Sequence, residues 1–276
     1  MEAERIDIND YVLAGAGSNG ESYYHRSDPG IMLKLYFPDR THQPLNELLM
    51  ARKVYDAGIP TPEPGNYVVT ADGRYGIRFQ RIIGKKSFAR AVSEDPSRMG
   101  EYAASFAAMC RQLHATRVDT SQFESEKDRY ARMLVDNPFF TVGEKDKLLR
   151  FIDEVPEAET ALHGDLHFGN AVFAGDKRYF IDLGDFCHGC PLFDIGMVYM
   201  TGRLNTPDYT REAFHMDNAT AASFWEAFAA EYFGPGRPLK DIEEEVRPYA
   251  GLKTIMVERD TRRPMPELRV ALNTII

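Results

Sequence analysis

The chain carries H-G-D-L-H-F-G-N at residues 163–170 and I-D-L-G-D at residues 181–185. The residues between these blocks predict a hairpin, with strands over 171–174 and 178–182 around a turn at 175–176. Because the strands of a hairpin run antiparallel, we expect Asp182 to return beside Asn170, with Asp165 a few residues upstream. A carboxylate and an amide oxygen that converge in this way suit Mg²⁺, which takes few ligands from the protein. The alternative is structural: Asp165 and Asn170 cap turns, and Asp182 ends a strand.

A second motif, G-A-G-S-N-G at residues 15–20, matches G-x-G-x-x-G. In a dinucleotide-binding unit these glycines open a helix, but here the next residues are rich in aromatics and end at the turn signal Asp28-Pro29-Gly30. A glycine loop between two strands is the hairpin with which kinases cover nucleotide phosphates. Gly15, Gly17 and Gly20 are therefore candidates for phosphate binding, and a plain glycine-rich hairpin is the alternative.

The following strand, I-M-L-K-L-Y at residues 31–36, places Met32 and Lys34 on the face opposite to its leucines. Lys34 can then reach a phosphate, and Met32 can lie against a base. Glu47, in a helix predicted over residues 46–57, is the acidic candidate to pair with Lys34. The alternatives are an edge-strand lysine that extends to water and a solvated helical glutamate.

The periodicity of apolar residues divides the chain into a β-rich part and a helical part. Residues 1–84 predict strands and one helix, and the composition changes after a connector at 84–87. The strands are expected over 6–14, 21–26, 31–37, 67–69 and 75–83, and the later helices over 97–116, 126–135, 143–152, 192–201, 219–232 and 239–249. The fold class is therefore α+β, with a small lobe over 1–84 and a larger lobe over 85–276.

Composition excludes several classes of protein. Of the 276 residues, 43% are hydrophobic, which excludes disorder as the dominant state, and the net charge of −9 argues against a nucleic-acid partner. The three cysteines fit a reducing compartment. We see no signal peptide and no apolar run of the ~18–20 residues that span a bilayer. These features predict a soluble, cytoplasmic protein without a membrane partner.

Three minor features have simpler interpretations. Cys187 and Cys190 form C-x-x-C without a second pair, so we interpret them as packing residues rather than metal ligands. His114 and Trp225 are expected in the core. The acidic residues of the C-terminal part predict a solvated helix face, with attraction of a cationic acceptor as the alternative; they are Asp241, Glu243, Glu244, Glu245, Glu258 and Asp260.

Taken together, the blocks at 163–170 and 181–185 and G-C-P-L-F-D-I-G at 189–196 resemble the aminoglycoside phosphotransferase-like (choline kinase-type) branch of the protein-kinase-like fold. M-L-K-L at 32–35, G-I-P-T-P at 58–62 and Q-R-I-I-G at 80–84 extend the resemblance. It implies a bilobal fold with a small antiparallel β-rich N-terminal lobe and a larger, mainly helical C-terminal lobe. The lobe over 1–84 would bind the nucleotide, and the lobe over 85–276 would carry catalysis, bind the acceptor and border the active site.

The resemblance also implies roles in the helical lobe. Asp165 would be the catalytic aspartate that accepts or orients the acceptor hydroxyl. His163 and Asp194 would support the catalytic loop. Asn170 and Asp182 would hold Mg²⁺.

For the nucleotide, the resemblance implies that Lys34 contacts the α- and β-phosphates with Glu47 as its partner. The backbone near Gln80 and Ile82 would bind adenine. Two departures stand out: Lys34 and Glu47 are closer in sequence than is usual in the fold, and Gln80 replaces a common glutamate.

The function implied is transfer of the γ-phosphoryl group of ATP, or of GTP, to a hydroxyl of a small molecule such as an aminoglycoside, amino alcohol or sugar, with Mg²⁺. A protein kinase fits less well, since H-G-D replaces H-R-D and no A-P-E follows. The alternatives are a nucleotide-binding regulator without transfer activity and a nicotinamide-dependent enzyme, which needs a helix near Gly20.

Overall fold

The chain divides into two compact units, Met1–Lys86 with Val172–Gly184 and Ser87–Ala171 with Asp185–Ile276. The structure, a computed structural model, describes residues 1–17, 19–40 and 43–276, except for the side chain of Asp260. We call the two parts the first and second unit. The assignment of nucleotide binding to 1–84 and of catalysis to 85–276 stays a prediction.

The first unit contains a six-stranded sheet in the order β1-β5-β6-β4-β3-β2. All neighbours are antiparallel except β1 and β5. The strands are β1 (Glu4–Ile6), β2 (Tyr11–Ala16), β3 (Gly20–His25), β4 (Ile31–Tyr36), β5 (Pro64–Thr70) and β6 (Tyr75–Gln80), and one helix, α1 (Gln43–Asp56), lies between β4 and β5.

Alternation along the strands gives this sheet a core on each face. Leu33 packs with Val68 on one face. Tyr36 and Ile77 pack with Leu48 of α1 on the other. Lys34 alternates with Leu33, so it shares its face with Tyr36 and α1.

One predicted strand is interrupted. We expected a single strand over 6–14, but a 3₁₀-helix, Ile8–Asp10, separates β1 from β2. The Asp7 carboxylate accepts a hydrogen bond from the Asn9 N–H at 2.9 Å and caps this turn. The break allows β1 to pair with β5 while β2 pairs with β3.

A hairpin follows the motif at 163–170, as the sequence predicts. Its strands are β9 (Ala171–Ala174) and β10 (Lys177–Phe180), and β7 (Lys86–Ser87) precedes them in the chain. Gly175 turns the hairpin with φ +57°. The second strand ends at Phe180 rather than at 182, so Asp182 lies in the segment after it.

The second unit is mainly helical. Its two short strands, β8 and β11, pair antiparallel. The elements are α2 (Phe88–Glu94), α3 (Met99–Ala115), α4 (Glu126–Val135), α5 (Val142–Glu154), β8 (Ala161–Leu162), β11 (Cys187–His188), α6 (Leu192–Arg203), α7 (Pro207–Phe214), α8 (Asn218–Phe233), α9 (Leu239–Thr261) and α10 (Pro266–Arg269).

Aromatic residues of α3 and α8 form part of its core. The ring centroid of Phe106 lies 6.1 Å from that of Phe224 and 5.1 Å from that of Phe228. Trp225 is fully buried, which confirms its expected place in the core.

Four helices differ from the prediction. The apolar periodicity did not predict α2, α7 or α10, and it ended α9 at 249 whereas the helix continues to Thr261. Pro248 lies inside α9 and offers no N–H to the helix. The residues beyond it continue the helix because Leu252 and Ile255 are buried in the core of the second unit, and tertiary burial overrides local propensity.

The β-sheet unit and the helical unit confirm the predicted α+β fold class. Within the described residues, every helix is too short or too polar to cross a membrane.

Candidate functional site

The glycine-rich motif includes the end of β2 and the start of β3. Gly20 begins β3, so the helix of a dinucleotide-binding unit does not start there, and the nicotinamide-dependent alternative is wrong. A Cβ at Gly20 would lie 2.3 Å from the Leu35 carbonyl oxygen, so the pairing of β3 with β4 requires glycine. Around Gly15, no described atom lies within 4 Å of such a Cβ. Gly17 donates its N–H to the Gly20 carbonyl at 2.8 Å, and Ser18 is outside the described residues.

Lys34 lies at the centre of a charged cluster in the first unit. Its Nζ donates to Glu47 Oε1 at 2.8 Å and to Asp182 Oδ1 at 2.8 Å. The Tyr36 hydroxyl donates to Glu47 Oε2. We call Lys34, Tyr36, Glu47 and Asp182 the Lys34 cluster. The sequence pattern suggested the pair with Glu47, and it did not suggest Tyr36, although Tyr36 shares the face of Lys34.

The charges of the Lys34 cluster stabilise one another. Burial works against the charge of Lys34, but the carboxylates of Asp182 and Glu47 outweigh it and raise the pKa of Lys34 above its ordinary value. Burial and the charge of Glu47 raise the pKa of Tyr36, so the hydroxyl keeps its proton. Lys34 is therefore a permanent cation whose direction is set by Glu47.

Asp182 has a strained backbone and an accessible carboxylate. Its φ is +57°, a region that few residues other than glycine occupy. Its side chain is 54% exposed, whereas that of Glu47 is 17% exposed. The backbone conformation thus limits the directions of the Asp182 side chain, and its carboxylate is accessible to a ligand.

The predicted hinge leaves β6 at Gln80. The Gln80 N–H donates to the Glu63 carbonyl at 2.9 Å, and the Arg81 N–H donates to the Gly30 carbonyl at 2.7 Å. The Arg81 guanidinium stacks on Tyr24, 3.5 Å from the ring centroid. Ile82 and Met32 are half-buried. The backbone N–H groups of Gln80 and Arg81 are engaged, so Ile82 is the better candidate within the predicted hinge.

In the second unit, residues 163–170 form a loop around Asp165, which we call the Asp165 loop. The Asn170 side-chain amide donates to the Asp165 carbonyl at 3.0 Å and to its Oδ2 at 3.2 Å. The Asp165 N–H donates to His163 Nδ1 at 3.3 Å. The Asp165 side chain is 28% exposed. The loop holds its carboxylate in place and keeps it accessible.

Asp194 anchors the start of this loop. Its fully buried carboxylate accepts the N–H groups of His163 at 2.7 Å and Gly164 at 2.9 Å. His114 lies 3.2 Å from the same carboxylate through Nε2 and 2.7 Å from the Tyr232 hydroxyl through Nδ1. Burial alone would raise the pKa of Asp194, but the hydrogen bond and charge of His114 lower it below its ordinary value. His114 is the satisfied core histidine that we expected.

Gly164 is indispensable to the loop geometry. Its φ is +81°. A Cβ at this position would lie 1.9 Å from the Asp185 carbonyl oxygen. The H-G-D triplet therefore carries glycine because the backbone of 185 passes directly beside it.

The structure thus brings together two groups of predicted residues. Lys34, Glu47 and Asp182 meet in the first unit, and His163, Asp165, Asn170 and Asp194 meet in the second. The roles that we assigned to them stay predictions. Lys253, whose Nζ donates to the Gly164 carbonyl at 2.9 Å, was not predicted as a site residue. A lysine in a long C-terminal helix carries no local signal of burial.

The acidic C-terminal residues are divided by the fold. Asp241, Glu244 and Glu245 are exposed, as expected for a solvated face. The expectation is wrong for Glu258, which is fully buried and accepts hydrogen bonds from Arg269. The side chain of Asp260 is outside the described residues.

Cys187 belongs to the hydrophobic core of the second unit, and Cys190 packs against that core. Cys187 is buried and its Sγ donates to Glu126 Oε2 at 3.1 Å. Within the described part of the chain, no three or more histidine, cysteine or acidic side chains are grouped so as to hold a metal ion.

Comparison with known proteins gave a match to one family model. The model of a family described as "Phosphotransferase enzyme family" matches residues 11–238. A search of curated proteins found no match.

Similar solved structures share the fold of this chain. An apo thermostable mutant of aminoglycoside phosphotransferase APH(4)-Ia has a TM-score of 0.64 at 14% identity, over 96% of this chain and 93% of that chain. Amicoumacin kinase hAmiN in complex with AMP-PNP, Ca²⁺ and Ami has a TM-score of 0.57 at 14% identity, over 99% and 88%. A choline/ethanolamine kinase family protein from Mesorhizobium loti has a TM-score of 0.55 at 16% identity, over 95% and 85%.

Proposed function

The chain belongs to the phosphotransferase enzyme family, and on that premise we propose that it transfers the γ-phosphoryl group of ATP to a hydroxyl group of a small molecule. The observation that carries the proposal is the environment of Asp165. Its carboxylate is accessible, accepts a hydrogen bond from Asn170 at 3.2 Å, and lies in a loop whose preceding peptide is anchored by Asp194.

Asp165 would act on the acceptor. A carboxylate within hydrogen-bond reach of the hydroxyl orients its oxygen towards phosphorus and takes its proton as the new bond forms. The Asn170 amide holds the carboxylate, so less ordering is needed when the acceptor binds.

Lys34 would act on the nucleotide. Its charge suits the α- and β-phosphates. Glu47, itself held by Tyr36, would fix the direction of the Lys34 side chain, and phosphate oxygens would replace the exposed Asp182 as its other partner. Backbone N–H groups of the loop that contains Gly15, Gly17 and Gly20 would approach the same phosphates. This local positive potential is needed because the protein as a whole carries −9.

Asn170 and Asp182 suit a magnesium ion by the chemistry of their donors. The Asn170 Nδ2 faces Asp165, so its Oδ1 is the atom to offer to a metal. The Asp182 carboxylate is 54% exposed and also has hard oxygens. When bound together with ATP, the ion would neutralise part of the negative charge of the phosphates.

The predicted hinge would bind the base. We assign adenine to the backbone near Gln80 and Ile82, with Met32 against the ring, and ATP rather than GTP as the first donor to test. In line with the sequence prediction, 1–84 would be the nucleotide-binding lobe, 85–276 the catalytic and acceptor-binding lobe, and the cytoplasm the place of action.

The acceptor class is proposed from the family resemblance and from similar folds. The similar structures include an aminoglycoside phosphotransferase, an amicoumacin kinase and a choline/ethanolamine kinase family protein. We therefore propose an alcohol on an aminoglycoside, amino alcohol or sugar.

The test is ADP formation from Mg·ATP with a panel of these acceptors, for the wild type and Asp165→Asn. We expect Asp165→Asn to lower kcat about 10²–10⁴-fold, the usual contribution of a general base, while calorimetry finds ATP affinity within about twofold. Wild-type binding of ATP without transfer to any acceptor would favour the regulator, and equal kcat in the variant would remove Asp165 from catalysis.

A further inference from the structure

Two buried charges that the proposed function does not use lie beside each other, and one of them contacts the Asp165 loop. Lys253 of α9 and Glu126 of α4 are both 0% exposed. Lys253 Nζ donates to the Gly164 carbonyl at 2.9 Å and to Glu126 Oε1 at 3.2 Å. A buried charge is costly to keep unless it is paired, so the position of this lysine calls for an explanation.

The peptide groups before and after Gly164 are each held by a buried charged side chain, and Lys253 holds the second of them. The Gly164 N–H donates to Asp194 at 2.9 Å, and the Gly164 carbonyl accepts from Lys253 at 2.9 Å. The next residue along the chain is Asp165. The backbone that leads into Asp165 is therefore held by an anion on one side and by a cation on the other.

The cation is maintained by its surroundings. Burial alone would lower the pKa of Lys253, but Tyr130 and Glu126 outweigh it and raise the pKa above its ordinary value. Arg129 lies beside the same glutamate and donates through Nη2 to Asp185 Oδ1 at 2.8 Å. The chain that passes beside Gly164 at 185 is thus anchored from α4 as well.

We propose that Lys253 is a positioning residue, whose ammonium group fixes the Gly164 carbonyl and thereby the orientation of the Asp165 carboxylate. This inference rests on the proposed function, in which Asp165 acts on the acceptor. Small misplacements of a reacting group are expensive: a shift of about 1 Å can cost about 10²-fold in rate. A lysine that only stabilised the fold would affect the whole unit rather than this loop.

The test compares Lys253→Met with Arg269→Met. Arg269 of α10 donates to Glu258 Oε1 at 2.7 Å. Glu258 lies in α9, the helix of Lys253, and is also 0% exposed. Each variant removes a hydrogen-bonded cation from a fully buried carboxylate, so both should lose stability, although Glu126 keeps Arg129 at 3.5 Å as a second partner. Only the first also removes a hydrogen bond to the Asp165 loop.

Two measurements are made on both variants. Hydrogen exchange followed by mass spectrometry reports peptides that cover residues 163–170. ADP formation from Mg·ATP, with an acceptor identified by the panel or with water, gives kcat and KM. For Lys253→Met we expect faster exchange in these peptides and a kcat lowered about 10- to 100-fold, with KM for ATP within about twofold. For Arg269→Met we expect wild-type exchange there and wild-type kcat.

If Lys253→Met does not fold, the double variant Lys253→Met with Glu126→Gln also removes the buried carboxylate that lost its lysine, and it should show the same loss of kcat. Unchanged exchange and kcat in a folded Lys253 variant would overturn the positioning role, as would equal losses in Arg269→Met. A wild-type chain that forms no ADP would overturn the proposed function instead, and the exchange data would still show whether Lys253 fixes the loop.

Discussion

The Lys34 cluster and the Asp165 loop are held in contrasting ways. In the cluster, Lys34 is 18% exposed and one of its two carboxylates, Asp182, is 54% exposed. In the loop, the anchoring groups of Asp194 and Lys253 are fully buried. Partners at the surface can be exchanged for a ligand at low cost, whereas a buried hydrogen-bonded charge that loses its partner pays its full desolvation.

The contrast teaches which substitutions should damage the fold and which should damage binding alone. A group that must receive phosphates benefits from a replaceable partner. A loop that must present one carboxylate in a constant orientation benefits from partners that are not replaced. We expect changes near Asp165 to cost stability and turnover together, and changes at Lys34 to cost mainly nucleotide affinity.

The largest effect is expected from Gly164→Ala. The new Cβ would lie 1.9 Å from the Asp185 carbonyl oxygen at a φ of +81°. We expect a loss of about 1–3 kcal/mol in the free energy of unfolding from backbone strain alone, with a further loss from the clash and a kcat below about 1% of wild type by misplacement of Asp165. Urea denaturation and ADP formation measure the two effects.

Gly175→Ala is the matched control, because Gly175 also has a positive φ, +57°, but no described atom lies within 4 Å of a Cβ there. It should lose stability by strain only and keep its kcat. Equal loss of kcat in the two variants would show that the close approach to 185 is unimportant.

Lys34→Met should have the next largest effect. Loss of charge-assisted hydrogen bonds, worth about 1.5–3 kcal/mol, should raise the Kd for Mg·ATP about 10- to 100-fold. The free energy of unfolding should fall by about 1 kcal/mol, because Asp182 is 54% exposed and the more buried Glu47 keeps the Tyr36 hydroxyl as a partner. Calorimetric titration with Mg·ATP and urea denaturation check the two values.

Arg74→Met is the control for that experiment. The Arg74 side chain is also 18% exposed and pairs with Glu21 at 2.7 Å. The substitution therefore removes a similar ion pair from the same unit. Its Kd for Mg·ATP should stay at the wild-type value. A similar rise in Kd in Arg74→Met would mean that the Lys34 result reflects general damage to the sheet.

Tyr36→Phe should have the smallest effect. It removes the hydroxyl that donates to Glu47 and leaves the ring in the core of the first unit. A hydrogen bond to a charged acceptor is worth about 1.5–3 kcal/mol, but this one contacts the nucleotide only through Glu47, which keeps Lys34 as its second partner. We expect the Kd for Mg·ATP to rise less than about fivefold, whereas a rise as large as that of Lys34→Met would show that Tyr36 sets the direction of Glu47.

Much of the fold followed from local pattern. The alternation at 31–36, the hairpin after Asn170 and most helices of the second unit were predicted, because period and turn residues report on local geometry. The same local patterns did not predict α2, α7 or α10, extended a strand across 8–10 and ended α9 at 249. Each miss lies where packing or a side-chain cap outweighs local propensity.

The candidate site divides in the same way. The motif at 163–170 and the face of Lys34 singled out the groups that carry chemistry, and their roles still await the experiments above. The partners that hold them are distant in sequence: Asp182 for Lys34, Asp194 for Gly164 and Lys253 for the same glycine. Glu258 was expected in solvent for the same reason, since its partner Arg269 lies in another helix.

By itself, the sequence determined which residue types could do the chemistry. These are local features that can be read directly from neighbouring residues, namely H-G-D-L-H-F-G-N, the glycine turn and Lys34. Only the tertiary structure decided which charges are buried and which are replaceable. Burial depends on neighbours from remote segments, and it is burial that makes Lys253 and Asp194 fixed anchors while Asp182 remains open to exchange.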